Sequence, residues 1–412
     1  MQMRRAAHHN LKWGKYRTYI EIFNLYICIS HKFYMKKLYF LIFTVALAFT
    51  GCKKGASEKT AILPQAGNSV KHAKGLEIYR YDGYTVVKVT TPWPDAKEGF
   101  TYIMQQEDGA IPDSLKGYTT LQVPLKSIVV TSTTHIPSLE MLGVENTLTG
   151  FAGLDYVSSE KTRALIDGGK VKEAGSNESL NTEILIDLDP DAIVAFGINS
   201  TNKTLNGLEQ SGLKVLYNGD WTEQTPLGKA EWIKFFGALY GLDDKAEEIF
   251  NTIEKDYNEA KKLAADVKHK PTALSGAMWK NEWQLPQGGS WAAIFMKDAG
   301  ADYLWGNTEG TGSHLLSFET VLEKAQDAEY WLGASQFTSL QEMIKANPHY
   351  AQFRAFKEKK VYSFSTKKGK TGGLIYYELS PNRPDLVLKD LVSILHPELL
   401  PGYELHFFEQ LK

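Results

Sequence analysis

Two stretches of this chain can be laid on one another without a gap: SLNTEILIDLDPDAIVAFG at 179–197 and LLSFETVLEKAQDAEYWLG at 315–333. Glu183 then coincides with Glu319, Asp191 with Asp327, Ala192 with Ala328 and Gly197 with Gly333. Asn181 and Ser317 stand two residues before the glutamates, where a helix N-cap is expected. Between the two stretches runs a long helical pattern. It covers 229–240, breaks at Gly241, and resumes from Asp243 to about Lys268 with Ile249, Ile253, Tyr257, Ala260, Leu263 and Val267 along one side. At 1.5 Å per residue the second piece alone spans roughly 35 Å, about the diameter of a small domain. Helix–strand units share such chemistry in many folds, so the match alone does not separate repetition from chance. Its place in corresponding positions on either side of a long helix favours two pseudo-equivalent lobes.

The rest of the chain fits that frame. A strand at 127–130 runs into the polar, then periodic TSTTHIPSLEMLG; a helix near Asn181, a strand at 192–196, a helix at 205–210 and a strand at 214–217 follow. Short strands alternating with short helices indicate a parallel α/β lobe. After Pro271 a strand at 272–276 opens a second. The predicted fold class is therefore α/β, two Rossmann-like lobes joined by a long backbone helix. The N-terminal lobe spans 76–225 with a strand-rich insert at 76–118, the connecting helices 226–270, and the C-terminal lobe 271–412. Within the insert, Asp82-Gly83 divides EIYRYDGYTVVKVTTPW as a hairpin turn requires.

Ahead of these lobes, Lys36 and Lys37 precede an apolar run, Leu38 to Phe49, that ends in Thr50, Gly51 and Cys52. The run is shorter than the roughly 20 residues of a membrane-spanning helix and has the charged, apolar and small-residue regions of a secretory signal. With cysteine at the cleavage point it resembles a bacterial lipoprotein signal, which makes 35–51 the signal peptide, Cys52 the lipidated first residue, and the Lys/Gly/Ser-rich 52–75 a tether. Residues 1–34 read as an upstream extension, with translation expected to start at Met35. Residues 1–51 hold eight Lys or Arg and one Glu, so the remainder has 38 basic against 47 acidic residues, a net charge of −9. That balance argues against a nucleic-acid partner, which needs a concentrated positive face. Cys28 and Cys52 are the two cysteines of the chain, so the mature protein has no second thiol with which to form a disulfide.

Signals for catalysis are poor. KKGKTGG at 367–373 contains Gly369-Lys370-Thr371, but a P-loop needs glycine five positions before the lysine and Ser365 stands there. There is no dinucleotide fingerprint, serine elbow or paired-histidine motif, and His135, His314, His349, His396 and His406 are scattered. No nucleophile, base and orienting group can be named together. The chain is read as a non-enzyme with no resident cofactor or metal.

Aromatic residues in polar loops say more. Trp279, Trp283 and Trp291 follow the predicted strand at 272–276, Trp221 leaves a strand in the first lobe, and Trp93 ends an early strand. Open α/β sheets present ligand crevices at such strand exits. Core packing is the competing explanation for any one tryptophan, and applies to Trp232 and Trp331. Flat aromatic walls with polar rims suit a bulky, partly apolar ligand. Arg383 offers an anion contact; His135 and Tyr376 are the residues a haem would want as axial ligands.

The run VVTSTTHIPSLEMLGVENTLTGF, the first repeat stretch, PLGKAEWIKFFGALYG, GAMWKNEWQLPQGG, DAGADYLW and LKDLVSILHPELLPG together resemble the cobalamin and iron-siderophore class of periplasmic substrate-binding proteins, class III of that group. The lipoprotein members from Bacteroidetes-like bacteria are the nearest in pattern. The resemblance covers about 120–410. It implies a monomer whose two lobes hold an Fe(III)-siderophore, a corrinoid or a haem between them and move little on binding. It also implies that an exposed glutamate on each lobe pairs with arginines of an ABC permease dimer and its ATPase. The matching positions here are Glu183 and Glu319, the two aligned by the repeat; the insert at 76–118 departs from the simplest family pattern.

Overall fold

The computed structural model describes residues 67–177, 179–199 and 202–412. Cys52, the predicted signal and the 1–34 extension lie outside the described residues. The chain opens with β1 (Leu76–Tyr81), β2 (Tyr84–Val89), β3 (Phe100–Gln105) and β4 (Thr119–Gln122), a four-stranded sheet in that order. The Asp82-Gly83 hairpin forms, with Tyr81 opposite Tyr84. Alternation sorts the two faces of this sheet. Leu76, Ile78, Val87, Val89, Tyr102 and Met104 enter the N-terminal core, while Tyr84, Val86 and Ile103 form a small second cluster beneath Ile111 and Leu115. The predicted insert is thus an integral layer of its lobe, and it extends to Gln122.

The N-terminal lobe continues through β5 (Ile128–Val130), α1 (His135–Leu142), β6 (Leu148–Phe151), α2 (Glu160–Asp167), β7 (Lys172–Glu173), α3 (Thr182–Leu188), β8 (Ala192–Phe196), α4 (Lys203–Gln210) and β9 (Val215–Asn218). The connection is α5 (Pro226–Ala230), α6 (Ile233–Leu239) and α7 (Asp243–Leu263). The C-terminal lobe holds β10 (Thr272–Ser275), β11 (Ala277–Trp279), β12 (Glu282–Pro286), α8 (Trp291–Asp298), β13 (Asp302–Tyr303), β14 (Ser313–Leu316), α9 (Phe318–Ala325), β15 (Tyr330–Leu332), α10 (Leu340–Ala346), α11 (Arg354–Lys357), β16 (Val361–Ser363), α12 (Ile375–Leu379), α13 (Pro384–Leu395) and β17 (Glu409–Gln410).

The repeat is present in three dimensions. The N-terminal sheet runs β9-β8-β5-β6-β7 and the C-terminal one β17-β16-β15-β10-β13. The two sheets share a block of four parallel strands in corresponding order, β9-β8-β5-β6 and β16-β15-β10-β13, and differ in their extra edge strands, β7 beyond β6 and the antiparallel β17 beyond β16. Strands β8 and β15, which end the two aligned stretches, each pair in parallel with the first strand of their five-stranded sheet, β5 and β10. The N-caps hold too: Asn181 accepts from the Ile184 amide and Ser317 from the Thr320 amide. One helix serves both cores. Ala246, Phe250 and Ile253 of α7 pack into the N-terminal core, and Tyr257, Ala260 and the following Ala264 into the C-terminal one. The helix ends at Leu263, short of the predicted Lys268, and Leu263 is exposed because the buried stripe follows 246, 250, 253, 257 and 260.

Candidate functional site

In a doubly wound sheet the helices following neighbouring strands one and three lie on opposite faces, so their exit loops part and leave a crevice. Here that point falls between β5 and β8 in one lobe and between β10 and β15 in the other. In the N-terminal lobe the gap is floored by Thr131, whose Oγ1 accepts from the Phe196 amide (3.1 Å), and by Thr134, whose Oγ1 donates to Asp220 Oδ2 (2.7 Å). Asn218, at the end of β9, accepts the Asp220 amide at 2.9 Å and fixes the turn that presents Trp221. Trp221 is exposed and meets the edge of Phe196 at 5.8 Å.

Lys229 joins this rim to the other lobe. Its Nζ donates to the carbonyls of Asp220 (3.2 Å) and Trp221 (3.1 Å) and stands 5.5 Å from the centre of the Trp291 ring. Burial holds its pKa below the ordinary lysine value, against the pull of Asp220 and Glu223. No carboxylate among the described residues forms an ion pair with it. Trp291 opens α8, where Ser290 caps the helix, and its ring lies 6.0 Å from that of Tyr376. Tyr376 stacks on Phe364 at 4.2 Å, and Tyr377, half in solvent, meets Phe364 edge-on at 5.5 Å. A continuous line of contacts therefore runs from Phe196 and Trp221, through one ammonium, to Trp291, Tyr376, Phe364 and Tyr377.

Of the residues predicted from sequence, the structure brings Trp221 and Trp291 together through Lys229, while Tyr376 backs Trp291 from within the C-terminal core. Trp279 stands exposed on the β11–β12 hairpin at the exit of β10. Four others are corrected. Trp283 is fully buried, stacked on Trp331 at 5.2 Å with its Nε1 donating to the Ser275 carbonyl, because alternate residues of β12 face opposite sides. Trp93 is buried against Phe100 and Tyr217 and fastens the first sheet to β9. Arg383 is already neutralised by a forked pair to Asp385 (2.9 and 2.7 Å), and lines a groove of about 380 Å³ with Met141, Ile249 and Ile253, beside the backbone helix. His135 is fully enclosed; burial pushes it down to about 4, so the ring is neutral, and neither ring nitrogen has a partner in the structure. Lys229, Phe196, Phe364 and Tyr377 were missed. Only the strand-exit rule that found Trp221 reaches Phe196; nothing local marks the others.

Glu183 and Glu319 are both exposed, in the first turns of α3 and α9. No group of three or more potential metal-ligating side chains occurs among the described residues.

Residues 128–366 match the family model described as periplasmic binding protein. The chain belongs to that family. An uncharacterised lipoprotein of Methanocaldococcus jannaschii is 26% identical over 363 residues, covering 82% of this chain and 84% of the relative. Among solved structures, a periplasmic solute binding protein of Veillonella parvula superposes with a TM-score of 0.54 at 14% identity, over 69% of this chain and 85% of the other. CeuE of Helicobacter pylori with Ni(II) bound gives 0.52 at 21%, over 69% and 88%. At such identities the likeness concerns the fold. It matches the two-lobed α/β architecture, and a family of binding proteins agrees with the non-catalytic reading. For a periplasmic binding protein the expected ligand place is the crevice between lobes, which is where the Trp221–Lys229–Trp291 line lies.

Proposed function

We propose that this periplasmic binding protein is the receptor of an ABC importer and captures a ferric siderophore or related metal chelate between its lobes. The observation that carries the reading is the aromatic line spanning both lobes around the single ammonium of Lys229. Aromatic faces suit the bulky organic shell of a chelate, and a desolvated ammonium suits an anionic edge. The likeness to a protein solved with Ni(II) bound supports a metal-bearing ligand. A corrinoid is the alternative of similar bulk. Haem is disfavoured, since His135 and Tyr376 are both buried and offer no open axial position. Anchoring through lipid on Cys52, on the periplasmic side of a membrane, agrees with the lipoprotein name of the archaeal relative. Glu183 and Glu319 are assigned to the permease dimer, whose two-fold symmetry matches a carboxylate in the same place on each lobe.

The test is a titration of tryptophan emission and heat with three probes: an anionic ferric tricatecholate, a neutral ferric trihydroxamate and cyanocobalamin. Saturable quenching by a ferric chelate, lost in Trp291→Ala, is expected. Binding of cyanocobalamin alone moves the assignment to corrinoids, and binding of none refutes the receptor reading for both classes.

A further inference from the structure

The glycine-rich KKGKTGG loop, which fails as a phosphate loop, makes another contact. It is pinned back on itself by Gly369 N to Gly373 O (2.8 Å) and runs directly into α12. From the C-terminal lobe it lies on residues 155–167 of the N-terminal lobe: Thr371 Oγ1 donates to the Asp155 carbonyl and Lys370 to Asp167, at 2.8 and 2.9 Å. A Cβ on Gly373 would fall 2.3 Å from the Tyr156 carbonyl oxygen, and one on Gly369 2.6 Å from Ser158 Cα. Glycine at these two positions is what lets the backbones of the two lobes touch.

At the centre of this seam stands Glu378, on the helix that also carries Tyr376 and Tyr377. Its two oxygens accept the backbone amides of Ser158 (2.6 Å) and Ser159 (2.9 Å), where Ser159 caps α2. The carboxyl is 4% exposed and, among the described residues, no cation forms an ion pair with it. The cations nearby are committed elsewhere: Lys370 and Arg163 both pair with Asp167. What faces it from α1 is a second carboxylate, Glu140, which takes hydrogen bonds from Ser159 Oγ and Thr162 Oγ1. On its own helix it has Tyr376 and Tyr377, and the acids of α13, Asp385 and Asp390, are held by Arg383 and by the amides of residues 406–408. Two carboxylates thus converge on one helix turn, one of them buried and without a counter-ion, an arrangement that favours a neutral carboxyl when closed and a charged one when open to water.

We propose that Glu378 is a bolt between the lobes that positions the α12 wall of the crevice and loosens as it ionises. It rests on the receptor reading only in that α12 carries crevice residues. Burial outweighs the two amide bonds and, with Glu140 beside it, pushes the Glu378 carboxyl up to about 7. Because the closed state holds its proton more tightly than an exposed glutamate does, the seam is tightest below the ordinary glutamate pKa of 4.5 and weakens as the pH rises from there through about 7.

The experiment needs no ligand. Amide hydrogen exchange of the whole folded protein is followed between pH 5.5 and 8, corrected for the intrinsic pH dependence of exchange. Opening at Ser158, Ser159 and 369–373 is expected to become roughly ten-fold more frequent at pH 8, with the β8 amides unchanged. Glu378→Gln, which mimics the neutral form, should flatten that profile. Gly373→Ala should open the seam at every pH and shows what release looks like. A flat wild-type profile, or a Glu378→Gln variant that keeps the wild-type slope, overturns the proposal. Failure of the receptor reading registers separately, in the chelate titration.

Discussion

At the strand exits of the N-terminal lobe stand hydroxyls and an amide, Thr131, Thr134 and Asn218, beside the aromatic pair Phe196 and Trp221; at those of the C-terminal lobe stand Trp291, Phe364 and Tyr377, backed by the buried Tyr376. The interiors differ in the same sense. The N-terminal core is dominated by aliphatic side chains of β5, β8, α1 and the first sheet, whereas the C-terminal core is built around a box of Trp283, Trp331, Tyr350 and Phe353. Yet both sheets share the order of their four parallel strands, β9-β8-β5-β6 and β16-β15-β10-β13, and one N-capped glutamate helix in the same place. Backbone hydrogen bonding and capping, which repeat, set the scaffold; the residues at the carboxyl ends of the strands, which do not repeat, give one lobe a mixed polar and aromatic rim and the other an aromatic one.

Two tryptophans of one hairpin provide the largest effect with which to break this comparison. Trp283→Ala removes a fully buried ring from the aromatic box and should cost about 3–5 kcal/mol of stability, read as a lower midpoint in urea at unchanged slope. Trp279→Ala, four residues away and 53% exposed, should stay within about 0.5 kcal/mol. Equal costs would mean that the C-terminal core does not depend on its box. The pair also shows where sequence reading stops. Strand, turn and aromatic content of GAMWKNEWQLPQGGSW are legible, but which indole faces the core depends on the register of β12 against β11 and β14, a non-local fact.

Affinity tests the asymmetry of the walls. Trp291→Ala removes the ring that meets both Lys229 and Tyr376, and should weaken binding of the chelate that quenches the wild type by about 2 kcal/mol, roughly thirty-fold. Trp221→Ala, whose ring touches Phe196 at the N-terminal rim, should lose less, about 1 kcal/mol. Calorimetry giving the reverse order would make the N-terminal lobe the principal wall. Lys229 was invisible in sequence because a lysine at the start of a helix reads as solvated; only the fold carries α5 across the gap to Trp291.

Among the described residues, the segment that precedes the first strand is clamped to the N-terminal side of the molecule. Glu231, fully buried, accepts the amides of Lys71, His72 and Ala73 and pairs with Lys234, while Glu223 accepts those of Lys74 and Gly75. Residues 71–75, read from sequence as the end of a tether, are therefore bound to the body. Burial raises the Glu231 pKa, but the Lys234 ammonium and these amides prevail and hold it below the usual carboxylate range. Its stabilisation is present above the ordinary glutamate pKa and is lost as the pH falls through the depressed value. Glu231→Gln should cost about 1–3 kcal/mol at pH 7 and remove part of the acid sensitivity, and limited proteolysis should then cut near 71–75. Resistance equal to wild type would show the segment held by its other contacts.

The smallest effect on the isolated protein, and the one that asks whether the lobes are equivalent to a partner, lies at Glu183 and Glu319. Both side chains are exposed, so alanine at either should change stability by less than about 0.5 kcal/mol and leave chelate affinity unaltered. An i,i+4 neighbour of like sign follows each, Asp187 on α3 and Glu323 on α9, and such a pair is slightly destabilising to its own helix. Relief of that repulsion acts in the same direction in both variants, so a matched small gain in thermal midpoint is expected. Transport into vesicles carrying the cognate permease is where they should differ from wild type. A two-fold partner that reads both lobes through charge-assisted contacts loses activity with either single variant and more with both, most clearly at limiting receptor. If one variant abolishes transport and the other leaves it untouched, the lobes match in fold but not in docking, and the pseudo-symmetry of the repeat ends at the backbone.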